Sequence, residues 1–331
     1  MRRWCAVALA GLLLTGCSAG LRHTAPAPAA PQPPVTAPPS PAPQAPPAPA
    51  VPAAAEEPKP PPKAVITPAK VLQGDFATLR LDQAVPGPVT VTVTGLSEQP
   101  KVYEYRGRAV AFIGFPATAR VGSYPVTVAW KDGSWQGQVE VIYKRFTEDR
   151  LTVTQEQQET YYDPRQDEEW ARLFAARSKS APVPYWRGAF RPPLKGKLEI
   201  TTYFGEIRYV NGQEASRHSG MDFAAETGTP ILAPAPGRVV FTDKLIVSGW
   251  TIAIDHGENL YTTYYHASRV DVKPGDWVET GQQIGLVGST GFSTGPHLHW
   301  TATIGNTPVD PWPLTLASPL GAGLSQRPTE E

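Results

Sequence analysis

Cysteine is almost missing: the 331 residues contain two, Cys5 and Cys17. Cys5 falls inside an apolar N-terminal leader, so a processed chain keeps Cys17 alone. A single thiol excludes an internal disulfide and any cysteine-based metal site, and the domains must then be stable on core burial alone. Net charge is missing too, since 30 Lys and Arg balance 30 Asp and Glu. No basic excess draws the chain to nucleic acid or to an anionic surface. There is also no long apolar run at the start. The leader's stretch, residues 6–15, is half the roughly 20 residues that a membrane-spanning helix needs. Histidine is scarce, six in all, yet two of them stand one residue apart in "STGPHLHW".

Arg2 and Arg3 precede the apolar run, which ends in Leu14-Thr15-Gly16-Cys17. Residues 1–16 read as a secretory signal. Their end resembles the lipobox of bacterial lipoproteins. The resemblance implies lipidation of Cys17, attachment to a membrane through that lipid, and a place in the cell envelope. That place is the outer side of the cytoplasmic membrane or the outer membrane. Residues 17–63 follow as a tether of Pro, Ala and a few polar residues that cannot form a core. Proline favours extended polyproline II, and at about 3.1 Å per residue some 40 residues reach on the order of 120 Å.

Beyond the tether the expected fold class is mostly β, in two domains with a short helical connector. In residues 64–145 short alternating runs recur about every ten residues. In "PVTVTVTG", Val89, Val91 and Val93 share one face. Lys131-Asp132-Gly133-Ser134 supplies a hairpin signal between two such runs. The expectation is an immunoglobulin-like β-sandwich acting as a spacer or binding module. Residues 146–192 form the connector, with a helix near 163–178. Asp163 suits its N-cap, Pro164 its first position, Asp167 and Glu168 its first turn and Arg177 its last. Trp170, Leu173 and Phe174 make its apolar stripe. Residues 193–316 are Gly- and Val-rich, with short strands and Pro-Gly turns at Pro236-Gly237 and Pro274-Gly275. Residues 317–331 read as a disordered tail.

Five histidines fall in the last domain. Residues two apart on a strand face the same way, so "HLHWTAT" places His297, His299 and Thr301 on one side and Leu298, Trp300 and Ala302 on the core side. His218 and Asp222 are four apart. A straight strand would separate them by about 13 Å, too far for one metal with bonds near 2 Å. His218 is therefore expected to end a loop that turns through Ser219 and Gly220 into a strand at Asp222. A nitrogen-nitrogen-oxygen ligand set leaves a fourth tetrahedral position open for water, as in catalytic zinc sites. Spacing alone leaves open which of His297 and His299 is a ligand. His256, beside the turn in "IDHGEN", reads as structural.

"HSGMD", "YTTYYHAS" and "GSTGFSTGPHLHW", with "GTPILAPAPGRVVF" and "VKPGDWVETGQQIGLVG" between them, resemble the LytM/lysostaphin-type zinc metalloendopeptidases. These are peptidoglycan hydrolases with a duplicated hybrid motif fold. The likeness covers about a third of the chain. It implies a β-rich metallopeptidase domain with antiparallel sheets and one Zn2+ held by His218, Asp222 and His299. It implies His297 as the base that takes a proton from the attacking water. It implies His266 as the residue that positions that water and stabilises the oxyanion, with Tyr203 or Tyr209 as a further oxyanion candidate. Peptidoglycan is the implied substrate, and proteins of the cell-wall machinery are possible partners. A second reading is a non-hydrolytic regulator or wall-binding lipoprotein, but such relatives lack site residues, and all five positions are filled here. The "VKPGDWVETGQQIG" stretch also resembles biotinyl and lipoyl carrier hairpins, yet it lacks their acceptor lysine.

Overall fold

The computed structural model describes residues 60–320. The signal, Cys17, nearly all of the tether and the end of the tail lie outside the described residues. The N-terminal half is two four-stranded sheets face to face. One contains β1 (Ala64–Thr67), β3 (Phe76–Leu81), β6 (Arg108–Gly114) and β5 (Val102–Tyr105), in that order. The other contains β2 (Lys70–Leu72), β8 (Gly133–Ile142), β7 (Gly122–Trp130) and β4 (Thr90–Val93). Alternation drives the burial: in β4 both valines are buried and both threonines exposed. Leu79, Val93, Ile113, Val128 and Val139 meet in the shared core. β7 and β8 form the hairpin, with Trp130 opposite Gly133 and Lys131-Asp132 as the turn.

The connector begins with β9 (Glu148–Leu151) and then holds two helices where the sequence pattern predicts one: α1 (Gln155–Tyr161) and α2 (Gln166–Ala176). A capping box starts α1. Thr154 Oγ1 accepts from the Gln157 backbone N–H at 3.2 Å, and Gln157 Oε1 accepts from the Thr154 N–H at 3.0 Å. That T-x-x-Q signal stands in the sequence, but α1 buries no residue, so no apolar stripe marks it. The regular part of α2 begins at Gln166. Asp163 acts ahead of it, its Oδ1 accepting from the Arg165 backbone N–H at 2.9 Å. Of the expected stripe, Leu173 is fully buried, whereas Phe174 is exposed and stacks on Trp170. Arg177 also departs from expectation. It turns inward, is 2% exposed and donates to Thr303 Oγ1.

The C-terminal half is built on one eight-stranded sheet. Its order is β10 (Ile200–Thr202), β13 (Met221–Ala224), β21 (His297–Ile304), β17 (Leu260–Ala267), β16 (Gly249–Asp255), β15 (Gly237–Leu245) and β19 (Trp277–Val278), with β22 (Thr307–Val309) also on β21. Every pairing in it is antiparallel. A second sheet joins β12 (Gln213–Arg217), β11 (Ile207–Val210) and β9, and a third joins β14 (Pro230–Leu232), β20 (Gln283–Leu286) and β18 (Arg269–Val270). β9 runs parallel to β11, so the connector lends a strand to this half. α3 (Trp312–Leu316) follows. Pro274-Gly275 is a turn, but Gly237 instead opens β15. A Cβ there would lie 2.6 Å from the Asp255 carbonyl oxygen and 3.0 Å from His256 Nδ1. Glycine at 237 thus serves close strand packing, not a bend. His256 is structural: its Nδ1–H donates to the Pro236 carbonyl and its Nε2 accepts from Thr262 Oγ1.

The two halves share a core. Phe76 and Phe112 of the sandwich, Trp186 and Phe190 of the connector, and Ala302, Ile304 and Leu314 pack as one cluster. The sandwich is therefore fixed to one end of β21 and is not a free spacer. On another side Leu173 of α2 packs with Phe241, Leu245, Ala253 and Tyr265. Truncating a fully buried leucine typically costs about 2–5 kcal/mol. Leu173→Ala is expected to lower unfolding stability by an amount in that range in a denaturant titration. A change under about 1 kcal/mol would show that α2 is not integral to the fold.

Candidate metal centre and active site

His218 follows β12 directly, and the chain turns through Ser219 and Gly220 into β13. The turn lies tight against β21. A Cβ on Gly220 would meet the Trp300 carbonyl oxygen and would stand 2.7 Å from Thr301 Oγ1 and 2.8 Å from His299 Nε2. The turn brings His218 Nε2 to 3.0 Å from Asp222 Oδ1. In the β13–β21 ladder Asp222 is directly opposite His299, and His299 Nδ1 is 2.7 Å from the same Oδ1. The third side of the triangle, His218 Nε2 to His299 Nδ1, is 2.9 Å. All three residues are buried.

The outer hydrogen bonds fix what each ring offers. His218 Nδ1–H donates to the Tyr203 carbonyl at 3.0 Å, which leaves a lone pair on Nε2. His299 Nε2 lies 2.9 Å from Thr301 Oγ1; with the proton there, Nδ1 also presents a lone pair. Burial pushes His299 down to about 4, so the ring is neutral near pH 7. Burial alone would raise the Asp222 carboxyl; positive charge or N–H donation on the side of His218 and His299 outweighs it and holds the carboxyl well below the usual carboxylate range. Lone pairs do not play that part, and a bound cation would. One proton between these atoms can satisfy at most two of the three contacts, whereas a cation satisfies all three at once. Donors around a tetrahedral zinc with bonds of about 2.0–2.1 Å stand about 3.3 Å apart. The observed 2.7–3.0 Å is a slightly closed form of that arrangement.

Two more histidines complete the site. His297 begins β21, and its Nδ1–H donates to the Gly295 carbonyl at 2.8 Å. Its Nε2 therefore faces inward as an acceptor, 3.9 Å from Asp222 Oδ1. His266 sits where the β16–β17 register shifts, with φ 60°. Such a bulge re-aims a side chain. Here consecutive residues Tyr265 and His266 both approach His299, with ring centroids 5.1 and 6.3 Å away. His266 Nδ1–H donates to the Thr290 carbonyl at 2.8 Å, so its Nε2 is also an acceptor. Burial, with His297 and His299 adding to it, pushes His266 down to about 3. In this tautomer the neutral ring offers Nε2 as an acceptor that can orient a water.

The structure thus brings together all five side chains singled out from the sequence: His218, Asp222, His266, His297 and His299. The tyrosines fare differently. Tyr203 contributes its carbonyl to His218, and the Tyr209 ring packs under the Arg150 guanidinium at 4.4 Å. Between them in sequence, Arg208 reaches the cleft, which the sequence reading missed. Its signal was the alternation of "EIRYV", which puts Arg208 on the face opposite Tyr209. Also unforeseen is the aromatic wall beside the metal centre. Tyr161 of the connector packs on Phe292 at 4.8 Å and hydrogen-bonds Ser216 Oγ at 2.7 Å, with Tyr162 and Trp170 alongside.

Residues 216–311 match the profile of peptidase family M23. This chain carries an M23 peptidase domain. The segment is similar to the peptidoglycan DD-endopeptidase ShyA of Vibrio cholerae, at 38% identity over 121 residues, 36% of this chain and 28% of that protein. It is also similar to the DD-carboxypeptidase/endopeptidase Mpg of Neisseria gonorrhoeae, at 42% identity over 102 residues, 31% of this chain and 24% of that one. The chain thus spans under a third of the length of these curated relatives. A crystal structure of a putative M23 peptidase from Pseudomonas aeruginosa is similar over 74% of this chain and 94% of that one, with TM-score 0.56 and 28% identity. That coverage extends the likeness well beyond the M23 domain.

The three-donor geometry sets a direct expectation. His218→Ala, Asp222→Ala and His299→Ala should each purify with zinc well below stoichiometric by elemental analysis, while the wild-type chain carries it in full. Full occupancy in all three variants would show that the metal sits elsewhere.

Proposed function

We propose that the M23 domain hydrolyses amide bonds in the stem or cross-bridge peptides of peptidoglycan, using one zinc ion held by His218, Asp222 and His299. The observation that carries this reading is the convergence of three lone-pair donors in one buried triangle, with two further imidazole acceptors aimed at the same space. A zinc ion there supplies a Lewis acid for the scissile carbonyl and lowers the pKa of water toward 7. The chain's own residues do the rest. His297 Nε2 and His266 Nε2 each accept one hydrogen of the attacking water, which fixes its lone pair toward the substrate carbon. His297 stands at the cleft surface and takes the proton, then returns it to the leaving amine. His266, held by Thr290 and deeply buried, keeps the water oriented. Substrate enters along a cleft with the aromatic wall on one side.

The names of the curated relatives, peptidoglycan DD-endopeptidase and DD-carboxypeptidase/endopeptidase, support cell-wall peptide as the substrate. The presence of all five site side chains supports hydrolysis over the reading as a non-hydrolytic regulator. The lipobox-like Leu14 to Cys17 and the Pro/Ala tether support a lipid-anchored place in the envelope, within reach of the wall. Digestion of purified peptidoglycan with and without chelator, with fragment masses read out, tests the activity. New peptide ends that appear only without chelator are expected, and an unaltered digest in both arms contradicts the proposal.

His297→Ala separates the base from the ligands. It should retain full zinc and lose about 10²–10⁴-fold in hydrolysis. A folded His297→Ala protein that purifies without zinc would make His297 a ligand instead.

A further inference from the structure

Arg208 stands where a substrate's charge would be read. It lies in β11, opposite Asp149 of β9 on one side and Ser216 of β12 on the other. Its Nε donates to Asp149 Oδ2 at 2.7 Å. Its Nη2 is 3.8 Å from Asp222 Oδ2, beyond hydrogen-bonding distance. Among the described residues neither Nη has a hydrogen-bond partner. The side chain is 17% exposed and lines the cleft on both sides of the metal centre, together with His266 and His299. A guanidinium whose only role was to orient Asp222 would be expected to hydrogen-bond Oδ2. Here Asp149 grips the Nε corner, which fixes the plane of the fork and leaves the outer N–H groups facing the cleft.

We propose that Arg208 is a specificity residue that binds a carboxylate on the residue whose amine leaves when the amide is cut. The proposal rests on the hydrolytic reading above. A planar fork with free N–H groups matches a carboxylate bidentately. With Nη2 3.8 Å from Asp222 Oδ2, the fork stands close enough to the three donors to suit a carboxylate on the same carbon as the scissile nitrogen, where a C-terminal residue carries it. A diamino acid cross-linked through the amine next to its free carboxylate carries it there too. The interior of a glycine bridge has no such group. The site therefore favours cross-links to a diamino acid, and terminal residues, over glycine bridges.

Two synthetic stem peptides test this, identical except that the leaving residue bears a free carboxylate or its carboxamide. Charge-assisted hydrogen bonds are each worth enough that the wild-type protein should prefer the carboxylate peptide by about 10–100-fold in kcat/KM. In Arg208→Gln that ratio should fall toward one, with Arg208→Lys between the two because a point charge lacks the fork. A wild-type ratio near one overturns the assignment. So does an Arg208→Gln protein that keeps the wild-type ratio while slowing on both peptides, which would make Arg208 a support for Asp222. If the glutamine variant does not fold, the wild-type ratio and the lysine variant decide. A zinc-loaded wild-type protein that cuts neither peptide, nor peptidoglycan, overturns the hydrolytic reading and this inference with it. Cleavage of both peptides at equal rates overturns the inference alone.

Discussion

Asp222 and His299 face each other in one rung of an antiparallel ladder, and the site is built outward from that rung. β13 supplies the carboxylate and β21 the imidazole, and Tyr265 of β17 pairs with His299 from the far side. Because side chains alternate along a strand, a slip of one residue would turn either group into the core. The core prevents that slip. Leu298 and Trp300 flank His299 and pack with Phe223 and Met221, which flank Asp222. Hydrophobic burial on one face thus fixes the register that sets the polar geometry on the other. The lone pairs that result crowd one another, and a cation among them would turn that crowding into attraction.

Supports at the next remove come from backbone carbonyls. Tyr203, Thr290 and Gly295 each accept from the Nδ1–H of one histidine and so decide which nitrogen faces inward. Fixing the tautomer in this way is the usual means of orienting a metal ligand or a catalytic imidazole. Beyond the sheet, the connector adds to the cleft from outside. β9 carries Asp149 to Arg208, and the two helices bring Tyr161, Tyr162 and Trp170 to the rim. The sandwich, packed through Phe76 and Phe112 on one end of β21, braces the same strand.

The grouping of the five site side chains was legible in the sequence because its signals are local, whereas the division of roles between His297 and His299 rests on the family resemblance. His297 and His299 at a spacing of two on an apolar strand fix a shared face. Gly220 between His218 and Asp222, with no helical stripe after it, favours a turn over a helix. The strand pattern of the sandwich was legible for the same reason, with valines alternating through β4. Less was legible where meaning depends on distant partners. Arg208 looks like any strand-borne cation until Asp149, 59 residues earlier, is seen to hold its Nε. The α1 helix buries nothing of its own, so only its capping box speaks for it. Arg177 looked like a solvated helix end, yet β21 supplies the hydroxyl of Thr303 that draws it inward. The His266 bulge depends on a register shift between two strands that no single segment encodes.

The central claim is that His218 Nε2, Asp222 Oδ1 and His299 Nδ1 converge because they share one zinc ion. Anomalous diffraction from zinc-loaded crystals, collected on either side of the zinc edge, tests it most directly. The account predicts a single strong peak within about 2.0–2.2 Å of all three atoms, with His266 and His297 outside bonding distance. A peak bonded to His297 or His266 in place of one of the three, or no peak between them in a folded zinc-loaded protein, would contradict it.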